Sequence, residues 1–417
     1  MKKNVLLLII AMYVCKAEAQ SSAFQVIDSL LAYGKYKKAL KALEAKPISY
    51  EVLLKKASIY DKIDDAKNAS VNYEKALQIK DDYFVSIAYA KALKKEKKLI
   101  KSIQLFEKVF KKDTLNLFVA YDLSKLYLQT KKAHKAKQQL AYLIKQDSSN
   151  YNYHYQLGLV YKLLKKRNLR INSFLKAYKI NNTDIRSIEK LAKDFFLLKD
   201  LDSANLFINK GLRINRNNVN LNKLKVNKLY LDKKYIELLP TLHHLDSILP
   251  NDHFTNKMLG RTYLKLDSLN KAKKYFKSAS VIDRTDYKSF TYLGHIALKQ
   301  EDFEAAMFNY FMATMIGKES RDEEYLGLAK VYYKTNKPQK VIKYYKEALR
   351  ENPSNYIVLL ELAKFSDNYY KDISIAQKYY QQYINKFEFK NKENDSLVHK
   401  RLSQIKKILF LEGKPIE

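Results

Sequence analysis

Hydrophobic residues recur along the chain in paired segments, each with the spacing of an amphipathic helix. In residues 151–180, Gly158 and Tyr161 fall on one face of a first predicted helix, and Phe174 and Ala177 fall on one face of a second. Residues three or four positions apart lie on the same side of an α-helix. The pattern therefore predicts a helix, a short turn and a second helix.

The same unit returns every 34 residues. Equivalent copies begin, without a slip in the spacing, at Tyr83, Leu117, Tyr151, Ile185, Val219, His253 and Tyr287. A fixed period of this length is the signature of an architecture in which neighbouring units stack and share one core. We therefore expect an all-α solenoid rather than several unrelated globular domains.

Small and large side chains alternate at fixed places in the repeat. One place in the first helix holds Gly or Ala, and the place three residues later often holds Tyr, as at Gly260 and Tyr263. A small residue lets the paired helix approach closely, and the large one fills the space beside it. Copies end in clusters such as Pro250-Asn251-Asp252, which we expect to end one helix and cap the next.

This pattern resembles the tetratricopeptide repeat (TPR) family, with small-x-x-Tyr in the first helix and Ala-x-x-x-Phe/Tyr-x-x-Ala in the second. The resemblance covers roughly residues 22–390 and is clearest over residues 259–279 and 328–353. The family's early Trp is missing, and apolar residues such as Leu53 and Ile188 stand at its place. The resemblance implies a right-handed α-solenoid of about eleven TPR-like helix-turn-helix repeats over residues 20–390.

The ends of the array depart from the repeat. The first copy has a shortened second helix, and the last has an extra residue, as terminal repeats often do. After them, Val398, Leu402, Ile405 and Leu409 recur at helical spacing. We therefore expect a C-terminal capping helix and tail over residues 391–417.

An interior departure lies at Pro240, inside the second helix of the copy that starts at Val219. Proline has no backbone N–H and its ring clashes with the preceding turn of a helix. Pro240 therefore predicts a kink or break, and with it a bend of the array near residues 236–250.

The N-terminal residues 1–19 have the features of a secretory signal peptide. Lys2 precedes an apolar run, and Ala17-Glu18-Ala19 is a small-residue cleavage site. A lipoprotein signal that acylates Cys15 is an alternative, although bulky residues precede Cys15 where small ones are expected. We expect an exported protein, periplasmic or associated with the outer membrane, with secretion as the alternative.

The charge of the chain is strongly positive. It has 78 Lys and Arg against 44 Asp and Glu, for a formal net charge of +34. Such an excess favours acidic proteins, anionic lipid or polysaccharide, or nucleic acid as partners. Only 10 of the basic residues are Arg, and Lys, Asn, Ile and Tyr are abundant together. A compositional origin in an AT-rich genome therefore explains the charge equally well.

Motifs for catalysis are missing from the sequence. With 8 Gly, the chain has no phosphate-binding loop and no nucleophile elbow. The seven His are scattered, and the adjacent His243 and His244 point about 100° apart on a helix, so they cannot share one metal ion. We expect no enzyme activity, no cofactor and no metal.

In TPR proteins the first helices line a concave groove. The ninth residue of a copy, counted from its first residue such as Tyr83, is a cation in six copies. These cations are Lys91, Lys125, Lys193, Arg261, Lys330 and Lys364. Neighbouring concave places carry aromatic residues, at Phe118, Tyr121, Tyr155, Phe196, Tyr230, Phe254 and Tyr333. Cations beside aromatic faces suit a carboxylate-rich peptide, or, less favoured here, a nucleic-acid strand. Solvent-facing places in so Lys-rich a chain are also often basic by chance.

The favoured interpretation is a non-catalytic protein–protein interaction scaffold of the bacterial cell envelope, which binds partner peptides in a cationic and aromatic concave groove. The alternative is electrostatic binding of an anionic polymer or membrane surface through basic inter-helix turns. These turns are residues 94–98, 131–132, 165–167 and 233–234. Cations there also offset the helix dipole, so a purely structural role accounts for them as well.

Overall fold

The computed structural model describes residues 24–317 and 319–413 of the 417-residue chain. The expected signal segment, residues 1–19, lies outside this range. In chain order the described helices are α1 (residues 24–32), α2 (Tyr36–Glu44), α3 (Tyr50–Lys62), α4 (Ala66–Ile79), α5 (Tyr83–Lys95), α6 (Leu99–Lys112), α7 (Leu117–Gln129), α8 (Ala133–Gln146), α9 (Tyr151–Leu163), α10 (Arg167–Ile180), α11 (Ile185–Leu197), α12 (Leu201–Ile214), α13 (Val219–Leu231), α14 (Tyr235–Ile248), α15 (His253–Lys265), α16 (Leu269–Ile282), α17 (Tyr287–Lys299), α18 (Phe303–Ile316), α19 (Asp322–Lys334), α20 (Pro338–Glu351), α21 (Tyr356–Tyr369), α22 (Ile373–Phe387) and α23 (Lys392–Leu411).

These helices form eleven helix-turn-helix pairs, from α1 and α2 to α21 and α22, followed by α23. Pairs such as α9 with α10 and α17 with α18 pack on each other more extensively than on the next pair. All regular structure in residues 24–317 and 319–413 is helical. The predicted all-α solenoid of about eleven repeats is confirmed.

The pairs belong to two compact units. Unit 1 ends at Ile214 and contains α1–α12, and unit 2 begins at Asn215 and contains α13–α23. Each unit has buried side chains shared between consecutive repeats. In unit 1, Phe106 and Leu140 belong to one such cluster, and in unit 2 Phe276 does. Stacking of neighbours therefore supplies the core, as a repeat array requires.

The small residues of the repeat lie where a larger side chain crosses them. A β-carbon at Gly260 would lie 2.9 Å from the ring of Phe276, and one at Gly158 would overlap the ring of Phe174. Such approaches are shorter than the normal distance between carbon atoms that are not bonded. The predicted close packing of the paired helices is confirmed.

Helices begin at short polar caps and are joined by one recurring turn. The side chains of Asn218 and Asp252 accept hydrogen bonds from the N–H groups of Leu221 and Thr255, at 3.0 Å each. The turns between paired helices place one residue in the left-handed conformation, such as Lys97 at φ 62°. This is the usual way to end a helix, and it lets the following N–H reach back to a free carbonyl.

The predicted break at Pro240 is wrong. Helix α14 is continuous from Tyr235 to Ile248 with Pro240 inside it. Pro240 lies on the exposed side of the helix, while Leu238 and Leu242 are buried on the other side. Proline removes one hydrogen bond, to the carbonyl of Ile236, and that exposed carbonyl can bind water instead. A bend of the helix axis near residues 236–250 stays a prediction.

Helix α23 is the predicted C-terminal cap. Val398, Leu402, Ile405 and Leu409 are buried in one cluster with side chains of α21 and α22. The guanidinium of Arg401 donates two hydrogen bonds, of 2.7 and 2.8 Å, to the carboxylate of Asp367 on α21. The helix covers apolar surface that the last repeat would otherwise expose.

Candidate functional site

Three aromatic rings form a continuous row on α19 and α21 in unit 2. Tyr333 of α19 meets Phe365 of α21 edge to face, with 6.0 Å between ring centroids. One turn further along α21, Tyr369 stacks on Phe365 at 5.6 Å. Tyr333 is 60% exposed and Tyr369 is 40% exposed. The row therefore offers aromatic surface to a ligand.

Four lysines border this row, namely Lys330, Lys334, Lys337 and Lys364. One carboxylate lies with them, because Glu361 is 3.4 Å from Nζ of Lys364. Within the part of the chain that the structure describes, Lys330, Lys334 and Lys337 form no ion pair. Together the rings and the lysines line a groove of about 890 Å³. We call it the Tyr333 groove.

A buried tyrosine lies beneath the groove. Tyr345 of α20 is buried, and its ring centroid is 6.4 Å from that of Phe365. Burial raises the pKa of the Tyr345 hydroxyl, and the nearby charges of Glu361 and Tyr333 raise it further. The hydroxyl therefore stays protonated at neutral pH, and the lysines supply the positive charge of the groove.

The groove unites three of the predicted site residues, Lys330, Tyr333 and Lys364. The sequence reasoning missed Phe365 and Tyr369, as well as Lys334 and Lys337. Phe365 and Tyr369 follow Glu361 at intervals of four residues and so share one face of α21. That spacing was the signal that could have identified them.

The other predicted cations do not share one environment. The Lys125 ammonium lies 3.0 Å from Asp122 and 4.6 Å from the centroid of Tyr121, so its charge is already paired. The Arg261 guanidinium lies 4.4 Å from the centroid of Tyr230, and its Nε is buried without a hydrogen-bond partner. Lys91 and Lys193 are exposed, and neither forms an ion pair with a described residue.

In unit 1 the predicted aromatic residues lie beside carboxylates. Phe118, which is 87% exposed, and Tyr121 line a pocket of about 740 Å³. The same pocket is lined by Asp113 and Asp147 and by three asparagines. No lysine lines it, so this pocket does not have the cationic character of the Tyr333 groove.

The prediction that Tyr155 faces a ligand is wrong. Tyr155 is buried, and its ring packs on Phe174 with 5.6 Å between centroids. Burial raises the pKa of its hydroxyl. Tyr155 therefore contributes to packing between helices.

Two other predicted aromatic residues, Phe196 and Phe254, are half-buried. The Lys223 ammonium lies 5.2 Å from the ring centroid of Phe254.

A hydrogen-bonded chain lies next to the groove. Nδ1 of His295 is hydrogen-bonded to the hydroxyl of Tyr310 at 2.7 Å, and Nε2 of His295 lies 2.9 Å from Oε1 of Glu323. The Lys288 ammonium lies 3.2 Å from the other carboxylate oxygen. The contact with His295, followed by that with Lys288, lowers the pKa of Glu323 to about 2. A second pocket, of about 410 Å³, is lined by His295, Tyr310, Glu323 and Lys330 among others.

The basic turns have a shared backbone conformation. Lys97, Lys131, Lys165 and Lys199 of unit 1 each hold a positive φ, at intervals of 34 residues, and their side chains are exposed. Asp267 and Glu301 hold the same place in unit 2. The turn therefore accepts either charge, and its geometry does not itself require lysine.

Residues 24–317 and 319–413 contain neither a metal-binding cluster nor a membrane-spanning helix. In that range, groups of three or more His, Cys, Asp or Glu placed to hold a metal ion are absent. None of its helices combines the length and the apolar composition needed to cross a bilayer. The grooves and pockets above therefore remain the candidate sites.

Sequence models of the tetratricopeptide repeat match residues 50–83, 151–184, 258–286 and 322–365. No curated protein sequence matches the chain. Among solved structures, yeast Tom70 is 13% identical with a TM-score of 0.42, and covers 95% of this chain and 97% of its own. Pseudomonas aeruginosa pilF is 18% identical with a TM-score of 0.45, and covers 54% of this chain and 99% of its own. YrrB, described as a TPR protein with an unusual peptide-binding site, is 16% identical with a TM-score of 0.41, and covers 45% and 97%.

The matched segments occur in both units, and each covers a helix pair or most of one, with residues 322–365 extending into α21. Their 34-residue spacing, their small-against-large packing and their left-handed turns are those derived above from the sequence and the structure. The chain therefore carries tetratricopeptide repeats.

Proposed function

We propose that this chain is a non-catalytic scaffold that holds acidic peptide segments of partner proteins in the Tyr333 groove. Tetratricopeptide repeat proteins generally bind other proteins or peptides on the extended surface of their stacked helices. The observation that carries the proposal is the row of Tyr333, Phe365 and Tyr369, which is bordered by three lysines that form no ion pair with a described residue.

Charge alone is too weak to hold a peptide in this groove. An exposed ion pair between a lysine and a carboxylate contributes about 0.2–1 kcal/mol. A contact between aromatic rings adds about 0.5–1.5 kcal/mol beyond the area it buries. The ligand that fits best therefore has both carboxylates and at least one apolar or aromatic side chain. A groove of about 890 Å³ has room for only a few side chains, so it fits a short segment.

We further propose that the scaffold acts in the bacterial cell envelope, on the periplasmic side or at the outer membrane. The support is the signal-like sequence of residues 1–19, with its basic start, apolar run and small-residue site. Fractionation of the native cells tests this, since an exported protein is found in the periplasmic or membrane fractions after the signal is removed.

Site-specific crosslinking in cells tests the peptide proposal. A photoreactive phenylalanine analogue placed at Tyr333 should capture envelope proteins, through segments that mass spectrometry identifies as acidic. The same analogue at Phe118, exposed in unit 1 beside carboxylates, is the matched control and should not capture these segments. Captured segments that are neutral or basic, or identical at both positions, would contradict the proposal.

A second candidate is binding of an anionic polymer or membrane surface through the basic turns. It is favoured by Lys97, Lys131, Lys165 and Lys199, which are exposed at the same place in successive turns of unit 1. Binding of this kind weakens steeply with salt, because it depends on screened charges and released counterions. Binding that barely changes between low and physiological salt would exclude it.

A further inference from the structure

Helix α18 in unit 2 carries an apolar row on its exposed side. Phe308, Phe311 and Met315 lie one turn apart along the helix and are 60%, 37% and 81% exposed. Single exposed apolar residues are common, but a surface helix of a soluble array normally has a polar outer face. A contiguous row of this kind marks a surface that something else covers.

The neighbouring second helices carry cations at the equivalent places. The repeat relates the row on α18 to Lys274, Lys277 and Val281 on α16, and to Lys343, Lys346 and Arg350 on α20. The ring of Phe311 lies 6.2 Å from that of Tyr344, next to Lys343. On the other side, the Lys273 ammonium lies 3.7 Å from Asp302, which precedes α18. The apolar row therefore lies between two basic rows.

The lysines of these rows have no ionic partner. Lys274, Lys277, Lys343 and Lys346 are exposed, and none of them pairs with a carboxylate in the described part of the chain. Arg350 alone is paired, with Glu347 of its own helix. Four unpaired cations thus flank the apolar row, and one exposed carboxylate, Glu304, precedes it by one turn on α18.

We propose that the exposed face of α16, α18 and α20 docks on an anionic lipid bilayer. Phe308, Phe311 and Met315 enter the boundary between headgroups and acyl chains, which apolar side chains of peripheral helices reach to a depth of about 5–10 Å. The four lysines then contact anionic headgroups, whose negative surface potential attracts basic segments. This surface differs from the Tyr333 groove and from the basic turns, and the inference does not rest on the proposed function.

The charges argue against a second copy of the chain as the occupant. In a symmetric dimer the same patch faces itself. The apolar row of one copy would meet the apolar row of the other, and each basic row would meet another basic row, so that the lysines outnumber the carboxylates of the face on both sides. Like charges held that close oppose association. An anionic lipid surface is complementary to both the apolar row and the basic rows, since it presents negative charge above an apolar interior.

Vesicle flotation tests the proposal on the full chain. The wild-type protein should float with vesicles of equal parts phosphatidylglycerol and phosphatidylcholine, and not with phosphatidylcholine alone. Phe308→Ser with Met315→Ser should lower the apparent partition coefficient by about 10-fold or more, because the inserted side chains are lost. Exchange of Lys274, Lys277, Lys343 and Lys346 for Gln should lower it by at least as much. All six positions are exposed, so the variants are expected to fold, which circular dichroism checks.

Matched controls separate this face from the rest of the molecule. Phe84→Ser with Phe118→Ser removes equally exposed aromatic side chains from unit 1, and exchange of the exposed Lys101, Lys108, Lys111 and Lys145 for Gln removes as many charges from its second helices α6 and α8. Both controls should float like the wild type. Three results would overturn the proposal: no flotation of the wild type, equal losses in the control variants, or a dimer in light scattering that Phe308→Ser with Met315→Ser abolishes.

Discussion

Gly327 of α19 packs against the buried ring of Tyr310 on α18, so closely that a β-carbon at position 327 would overlap the ring. Gly294 of α17 lies against the same ring, where a β-carbon would be 2.7 Å from it. Tyr310 is thus held between its own repeat and the next one. This contact shows how a small residue in the first helix links consecutive repeats.

We expect Gly327→Ala to destabilise unit 2 by about 1–3 kcal/mol, because the added methyl group forces Tyr310 or the helix to move. Urea unfolding of the full chain, followed by circular dichroism, measures the change. Lys330→Ala, at an exposed position one turn later, is the control and should change stability by less than about 0.5 kcal/mol. An unchanged midpoint for Gly327→Ala would mean that the close contact is relieved without cost.

Pro240→Ala should stabilise the protein. The alanine restores the N–H that can bond to the carbonyl of Ile236 in the continuous helix α14, and an interior proline costs about 3 kcal/mol. Loss of the proline also gives the unfolded chain more conformational freedom, which offsets about 0.4–1 kcal/mol of this gain in stability. A net gain of about 2–2.6 kcal/mol is expected by urea unfolding. A loss of stability would show that α14 needs the proline.

The paired charges of Arg170 and Asp194 predict a non-additive result in unit 1. Their side chains are mostly buried and share two hydrogen bonds, of 2.8 and 2.7 Å. Asp194→Ala should cost about 3–5 kcal/mol, because it leaves the guanidinium buried without its partner. The double variant Arg170→Met with Asp194→Leu should be more stable than Asp194→Ala. Equal or greater loss in the double variant, by chemical unfolding, would contradict this account of the pair.

Stability should depend on pH through Glu323. Its pKa is lowered in the folded protein, from the ordinary 4.5 to about 2, by contacts with His295 and Lys288. A carboxylate whose pKa is lowered by folding stabilises the folded state above pH 4.5. This contribution to stability is lost as the pH falls toward 2 and the carboxylate is protonated. The difference in Tm between the wild type and Glu323→Gln should therefore shrink from pH 4.5 to pH 2.

Glu304→Gln is the control for this titration, because Glu304 is exposed and forms no ion pair among the described residues. The difference in Tm between Glu304→Gln and the wild type should stay near zero from pH 4.5 to pH 2. A Tm difference for Glu323→Gln that does not change over this range would show that the contacts of Glu323 do not stabilise the fold.

The repeat was readable from the sequence because each helix pair obeys the same local rule. Gly260 and Tyr263 recur with their equivalents every 34 residues, and each position has one packing role. Pro240 does not break α14, because the cost of an interior proline depends on the exposure of the carbonyl that loses its hydrogen bond. On the solvent side, as at the exposed Ile236, water can replace the lost hydrogen bond.

The candidate site was only partly predictable. The ninth place of the repeat selected Lys330 and Lys364, which line the same groove, because the repeat register transfers a place from one helix to the next. It could not show that Lys125 is paired with Asp122, or that Tyr155 is buried against Phe174. Those outcomes depend on which side chain of the adjoining repeat reaches the position, and the repeat pattern leaves such residues variable.

The measurement that tests the central claim most directly is the affinity of the Tyr333 groove for an acidic, aromatic peptide. Fluorescence anisotropy with a labelled peptide that alternates Asp and Phe compares the wild type with a variant carrying Lys330→Ala, Tyr333→Ala and Lys337→Ala. The Kd should rise by about 10-fold or more in this variant, since two ion pairs and one aromatic contact are lost. A matched variant in unit 1, with Lys91→Ala, Phe118→Ala and Lys193→Ala, should bind like the wild type. Equal affinity in all three proteins, or an equal loss in both variants, would contradict the assignment of the groove.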